Sequence, residues 1–191
     1  MSPSLPEAAL VSADRSLLLF LNGLHCDFLD PVMYYGTRTS LWLPLYLLVL
    51  YAVIRQYGWR SVYVLLCAAL LVTFSDQLAN LFKEWTARPR PCNNLDIGPS
   101  IHIVNGYKSG GYSFYSAHAS TNLALAVFCI LTLGKNRFIA PVMLSYALFM
   151  SYTRIYLGVH YPSDILAGWI AGALIGYGCA KISLLLTRQK S

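Results

Sequence analysis

Three short clusters hold the side chains able to do chemistry: Lys83 with Arg90-Pro91, Ser116 with His118, and Arg154 with His160 and Asp164. Each lies at the end of an apolar stretch, where an ionisable residue is costly unless it pairs or binds something. Lys83, Arg90 and Arg154 are permanent cations, suited to the oxygens of a phosphate group and to the charge that builds on them during its transfer. The arginine forks would set geometry and the lysine would supply a point charge. Taken singly, Lys83 and Arg90 read equally well as headgroup anchors at helix ends. The two histidines change that balance, since one imidazole can attack phosphorus while the other gives a proton to the departing oxygen. Asp164 follows His160 by four residues, with Tyr161-Pro162-Ser163 between them. Pro162 would open a helix and set the carboxylate in its first turn, where it could hold an imidazole N–H and favour the nucleophilic tautomer. An isolated H-x-x-x-D pair is more often a capping acid beside an interfacial histidine, so the conjunction of the clusters carries the reading.

The elements that must position these residues belong to a membrane protein. The chain has 191 residues, room for one unit, read as a single membrane domain over 1–191. Only 12% of residues are charged and 57% are hydrophobic, where a soluble domain carries about 25% charged residues. Five stretches, about 39–57, 61–84, 115–134, 138–160 and 163–185, are apolar enough to span, against the roughly 17 to 25 residues that a bilayer requires. The charge-free cores of the first and last are short, so Arg38, Arg55 and Lys181 would have to snorkel outward. Ser16–Gly36 is apolar but broken by His25, Asp27, Asp30 and Pro31, which favours two short helices on the membrane surface over a sixth span. The expected fold is therefore an all-α integral membrane protein: an interfacial segment 1–38, then a bundle of about five transmembrane helices over 39–187. A sixth span is the alternative. Met1–Arg15 contains Glu7 and Asp14 and lacks a basic leader, so no cleavable signal peptide is expected.

With five alternating spans, the end of the second, the start of the third, the end of the fourth and the start of the fifth meet at one face. The long connection 86–114, rich in Pro, Gly, Asn and Arg, lies over that active face. The net charge of +6 comes from basic residues placed singly at the ends of apolar runs, which argues against nucleic acid as a partner. The opposite face holds Arg55, Arg60, Lys135, Arg137, Lys181, Arg188 and Lys190 without a carboxylate, and the active face holds equally many basic residues. Setting aside Lys83, Arg90 and Arg154 as ligand-binding leaves the excess on the opposite face and makes it cytoplasmic.

Other residues draw plainer expectations. Gly168, Gly172, Gly176 and Gly178 mark close helix contacts. Cys67, Cys129 and Cys179 read as small core residues; Cys26 and Cys92 are expected as free thiols, with a disulfide the less favoured alternative. Asp76 would pair with a basic residue or line a cavity. His25 and His102 are expected to face water without a chemical role. Tyr107, Tyr112, Tyr115, Tyr152, Tyr156 and Tyr161 are expected to form an interfacial belt. No clustered carboxylates or Cys/His ligands suggest a metal.

Lys83, six residues, Arg90-Pro91; Ser116-Ala117-His118; and Arg154, five residues, His160, three residues, Asp164 together resemble the type 2 phosphatidic acid phosphatase (PAP2) family. The resemblance covers roughly residues 75 to 180, and Tyr161 to Gly168 is closely family-like. Two positions depart from the pattern: the family's Pro-Ser-Gly-His reads Tyr115-Ser116-Ala117-His118 here, and Thr153 replaces the usual Ser before Arg154. The resemblance implies that His160 forms a phosphohistidine, Asp164 orients it and His118 protonates the leaving group. It also implies that Lys83, Arg90, Arg154 and Ser116 grip the phosphate, with no metal or cofactor. The implied substrate is a membrane lipid phosphate: undecaprenyl diphosphate, phosphatidylglycerol phosphate, phosphatidic acid or a lipid A phosphate. The implied location is a bacterial inner membrane, with the active face toward the periplasm or exterior. A lipid phosphotransferase using the same histidine, or a catalytically silent lipid-binding or transport protein, are the alternatives. Haloperoxidases share the phosphate-site pattern in soluble folds, which the apolar spans argue against.

Overall fold

A computed structural model describes residues 5–134 and 136–188, apart from the side chains of residues 5–8; Lys135 and Lys190 of the charge count lie outside the described residues. These residues form seven α-helices: α1 (Leu5–Asn22), α2 (Leu29–Gly36), α3 (Leu43–Tyr57), α4 (Ser61–Thr86), α5 (Ala117–Thr132), α6 (Ile139–Tyr156) and α7 (Pro162–Thr187). Short 3-10 turns lead into α3 and α4 and punctuate the α4–α5 connection, where one isolated bridge pairs Pro89 with Tyr112. The stretch Thr39–Thr86, which contains α3 and α4, and the helix Pro162–Thr187 are each long and apolar enough to cross a membrane; Ala117–Thr132 is a shorter apolar helix. Leu48, Leu66, Leu70, Ile170 and Leu174 stand exposed on the outward faces of α3, α4 and α7, an apolar surface that lipid would cover.

The N-terminal region differs from expectation. Instead of two short helices within 16–36, α1 already begins at Leu5 and runs for 18 residues. Asp14 does not break it, because its carboxylate finds partners elsewhere in the fold. Pro31 sits within the first turn of α2, where a helix has no use for the missing N–H, so it opens the helix rather than ending it.

Helix ends at the active face are set by local chemistry. α4 stops at Ala87, whose backbone turns left-handed at φ 46° and whose N–H reaches the Lys83 carbonyl. α5 starts at Ser116, whose hydroxyl accepts the Ala119 N–H at 3.4 Å. α6 ends at Tyr156, earlier than the expected 160, and leaves His160 in the turn before α7. α7 begins with Pro162, and the Asp164 carboxylate accepts the Tyr161 N–H at 2.9 Å to close a capping box.

α5 is the central helix, packed against α4, α6 and α7. Its contact with α7 is a backbone seam: a Cβ on Gly168, Gly172 or Gly176 would collide with the carbonyl oxygens of Ser116, Ser120 or Ala124. Gly178 does not belong to this seam, since a Cβ there would meet nothing within 4 Å. The close approach fixes where the start of α5 lies relative to the start of α7. A hydrogen bond from Ser116 N–H to the Asp164 carbonyl, at 3.1 Å, ties the two starts directly.

Candidate active site

The end of α4, the α4–α5 connection, the start of α5 and the α6–α7 turn converge at one end of the bundle. His160 occupies the turn and is only 3% exposed. Its Nε2 lies 3.1 Å from Arg90 Nη1 and its Nδ1 lies 3.3 Å from Asp164 Oδ2. A guanidinium has no lone pair to offer, so Nε2 must accept and Nδ1 must carry the proton toward Asp164. The lone pair of Nε2 therefore points toward the cations.

Burial pushes the His160 pKa down to about 4; Asp164 opposes that shift, while Arg90 and Arg154 reinforce it. The imidazole is thus neutral, and nucleophilic, through the physiological range. Asp164 is fully buried: Oδ2 serves His160 and the Tyr161 N–H, and Oδ1 accepts from Arg88 Nη1 at 2.6 Å.

Beyond Arg88, the cations near this pair, Lys83, Arg90 and Arg154, lack carboxylate partners among the described residues. Arg90 donates to the carbonyls of Gly110 and Val159 at 2.9 and 3.1 Å. Its pKa is lowered first by burial and then by Arg154, the signature of positive groups crowded without a counter-ion. Arg154 is 2% exposed; it donates to Thr37 Oγ1 at 2.7 Å and Tyr107 OH at 3.2 Å, and its Nε is buried without a partner. Lys83 donates to Asn80 at 3.1 Å. Lys83, Arg90, Arg154 and His160 all lie within electrostatic reach of His118. The arrangement offers a cationic cradle with unsatisfied donors, which is what an incoming phosphate requires.

His118 differs from His160 in its surroundings. It is exposed, makes no hydrogen bond among the described residues, and opens onto a cavity of 380 Å³ between α3, α4, α5 and α6. Ser116 is buried and acts as the α5 N-cap; its hydroxyl accepts from Ala119, which leaves its own proton free to donate. Of the residues singled out by sequence, Arg90, His160 and Asp164 are in direct contact, while Lys83, Arg154, His118 and Ser116 surround them.

Sequence reasoning missed a second layer. Arg88 bonds Asp164, Ser163 Oγ at 2.8 Å and Asp14 Oδ2 at 2.7 Å, and its guanidinium stacks on Tyr161 with 3.8 Å to the ring centre. Asp14 also accepts the Ser163 N–H at 2.9 Å. The doubled Arg-Pro at 88–91 was the available signal for Arg88; nothing local marks Asp14 or Thr37. The tyrosine belt is corrected as well: Tyr115, Tyr156 and Tyr161 are buried, and Tyr107 holds Arg154. His102 does not simply face water, because it bonds Asp30 at 3.0 Å and stacks on His25, while Tyr156 OH donates to the same Asp30. These contacts pin the α1–α2 elbow to the end of α6. Cys26 and Cys92 are free thiols, Cys67 and Cys129 are buried in the core and Cys179 packs beside them. Among the described residues no three His, Cys, Asp or Glu side chains come together as metal donors.

The chain is similar to proteins that carry lipid phosphatase names. It is 38% identical to a lipid A 4'-phosphatase of Bacteroides thetaiotaomicron over 88% of this chain and 76% of that protein. A lipid A 4'-phosphatase of Porphyromonas gingivalis is 30% identical over 92% of this chain and 75% of its own length. The crystal structure of a transmembrane PAP2 type phosphatidylglycerolphosphate phosphatase from Bacillus subtilis superimposes with a TM-score of 0.73 at 22% identity, covering 95% of this chain and 90% of that one. The PAP2 superfamily model matches residues 58–188, a segment that contains all three clusters, and the chain belongs to that superfamily.

Proposed function

We propose that this chain is an integral membrane lipid phosphatase that removes a phosphate group through a phosphohistidine on His160, with a lipid A type glycolipid phosphomonoester as its favoured substrate. The observation that carries the reading is the His160 geometry: a buried neutral imidazole with Nδ1 held by Asp164 and its Nε2 lone pair facing Arg90. In this reading Nε2 attacks phosphorus while Lys83, Arg90, Arg154 and Ser116 hold the phosphoryl oxygens, and the bond to the lipid oxygen breaks. His118 supplies that oxygen with a proton. Water, deprotonated by His118, then attacks phosphorus and the P–N bond breaks. The substrate preference rests on the relatives that act on lipid A.

The bundle reading has five spans: α3 to α7, with α1 and α2 at the interface. Arg55, Arg60, Arg137, Lys181 and Arg188 lie at the end away from the site. Arg88, being ion-paired with Asp14 and Asp164, joins the residues explained by the site rather than by topology. This supports the reading in which the active face lies outside the cytoplasm of a bacterial inner membrane.

The test is phosphate release by purified protein from a lipid A type monoester, phosphatidylglycerol phosphate, phosphatidic acid and undecaprenyl diphosphate, with a chelator present, comparing wild type with His160→Ala. The expected result is release by wild type alone, fastest from the lipid A type monoester. Silence on every lipid from folded protein, or equal release by His160→Ala, would overturn the proposal.

A further inference from the structure

Asp76 lies on α4 about two turns before Lys83, and it is exposed to the cavity onto which His118 opens. Its Oδ2 accepts from Asn80 Nδ2 at 3.1 Å, and Asn80 Oδ1 in turn accepts from Lys83 at 3.1 Å. Its Oδ1 makes no hydrogen bond among the described residues, and no cation pairs with it there. The cavity also presents Thr39, Tyr46, Thr121 and Asn122. Val72, Leu125 and Met150 line it as well, so it is a largely apolar chamber carrying one carboxylate, in a part of the bundle where a carboxylate is costly.

The position of that chamber relative to His118 gives it a role. On the proposed function, which this inference deepens, His118 protonates the oxygen that leaves phosphorus, so the leaving group must lie on the His118 side and extend into the chamber. Two kinds of lipid differ in what they leave there. A phosphomonoester leaves an alcohol: the P–O bond breaks, the proton from His118 goes to the oxygen, and a neutral hydroxyl results. A lipid diphosphate leaves a lipid monophosphate, whose negative charge would face the Asp76 carboxylate. Two negative charges sharing one partly desolvated cavity repel.

We propose that Asp76 is a specificity-determining residue: it accepts hydrogen bonds from a hydroxyl- or amide-bearing neutral leaving group, such as an acylated sugar, and rejects diphosphates by charge. Tyr46, Thr121 and Asn122 are already bonded within the bundle, so the free Asp76 Oδ1 is the acceptor that such a group would satisfy.

The test compares kcat/KM of the purified full chain, in detergent, for a lipid A type phosphomonoester and a polyprenyl diphosphate, in wild type, Asp76→Asn and Asp76→Glu. Wild type is expected to prefer the monoester. Asp76→Asn keeps the shape and removes the charge, and it should shift the ratio of the two substrates toward the diphosphate by at least about tenfold. Asp76→Glu keeps the charge and should keep most of the preference. A diphosphate preference in wild type overturns the inference whether or not the variants fold. So does a Asp76→Asn variant that loses both activities by the same factor, which would mean that Asp76 only steadies Asn80 and Lys83. Release from neither lipid overturns this inference, and silence on phosphatidic acid and phosphatidylglycerol phosphate as well overturns the phosphatase reading with it; an unchanged ratio in an active enzyme overturns the inference alone.

Discussion

The two histidines face one site from opposite surroundings. His160 is buried, bonded at both ring nitrogens and backed by Asp164, Arg88 and Asp14. His118 stands at the start of α5, without a hydrogen bond among the described residues, at the mouth of a cavity. A nucleophile gains from being held in one tautomer and one direction, because misaimed attack loses the benefit of proximity. A proton donor must follow a leaving oxygen as the bond to phosphorus lengthens, so a looser setting suits it. On the proposed function, the difference between the two sides would divide the work between a nucleophile and a proton donor.

Several substitutions would break or sharpen that contrast. The largest effect is expected from the histidines themselves. His160→Ala should lose more than about 10⁴-fold in kcat with every substrate. His118→Ala should lose about 10² to 10⁴-fold with a lipid alcohol leaving group and recover most of it with p-nitrophenyl phosphate, whose leaving oxygen needs no proton. Parallel losses on both substrates would erase the distinction between the two sides.

Next in size is the carboxylate. Asp164→Asn presents an amide where the Nδ1 proton must be accepted, and about a 10³-fold fall in kcat with little change in KM is the expected outcome in steady-state kinetics.

Arg88 should have a smaller and more informative effect. Its cation shares the Asp164 charge, which moderates the pull of Asp164 on the His160 proton; the other charges facing His160 are Arg90, Arg154 and His118. Because burial holds the His160 pKa near 4, the acid limb of kcat/KM that reports this group should lie well below the ordinary histidine range. Arg88→Met should raise that pKa, move the limb to higher pH and lower the plateau about tenfold. A lower plateau with an unmoved limb would reduce Arg88 to a structural support.

The smallest effect concerns the seam that sets the spacing between the two sides. Gly172→Ala forces a methyl against the Ser120 carbonyl and should cost about 1 to 3 kcal/mol in detergent unfolding, with activity falling alongside. Gly178→Ala meets nothing and should be neutral or stabilising by up to about 1 kcal/mol.

The legible parts of the molecule were those encoded over short distances. The spacing from His160 to Asp164 and the proline between them predict a carboxylate in the first turn of a helix, and α7 begins that way. The apolar runs over 61–84 and 163–185 lie within two residues of the ends of α4 and α7. What escaped depends on partners far apart in the chain. Asp14 reads only as a residue that argues against a signal peptide until the fold brings it 2.7 Å from Arg88. Thr37 is an ordinary interhelical residue until Arg154, 117 positions later, donates to it. Tyr107 and Tyr156 have the composition of a membrane belt, and only tertiary packing assigns their hydroxyls to Arg154 and Asp30. Gly168, Gly172 and Gly176 repeat every four residues and share one helix face, whereas Gly178, two residues on, falls off it; residue type alone does not make that distinction.

The most direct test of the central claim, attack on phosphorus by His160 rather than by water, is the stereochemical course of hydrolysis of a chiral, isotopically labelled thiophosphate ester of the preferred lipid. Two successive in-line displacements through a phosphohistidine give net retention of configuration at phosphorus, which is the expected result. Net inversion would mean a single direct displacement by water, and would contradict the account.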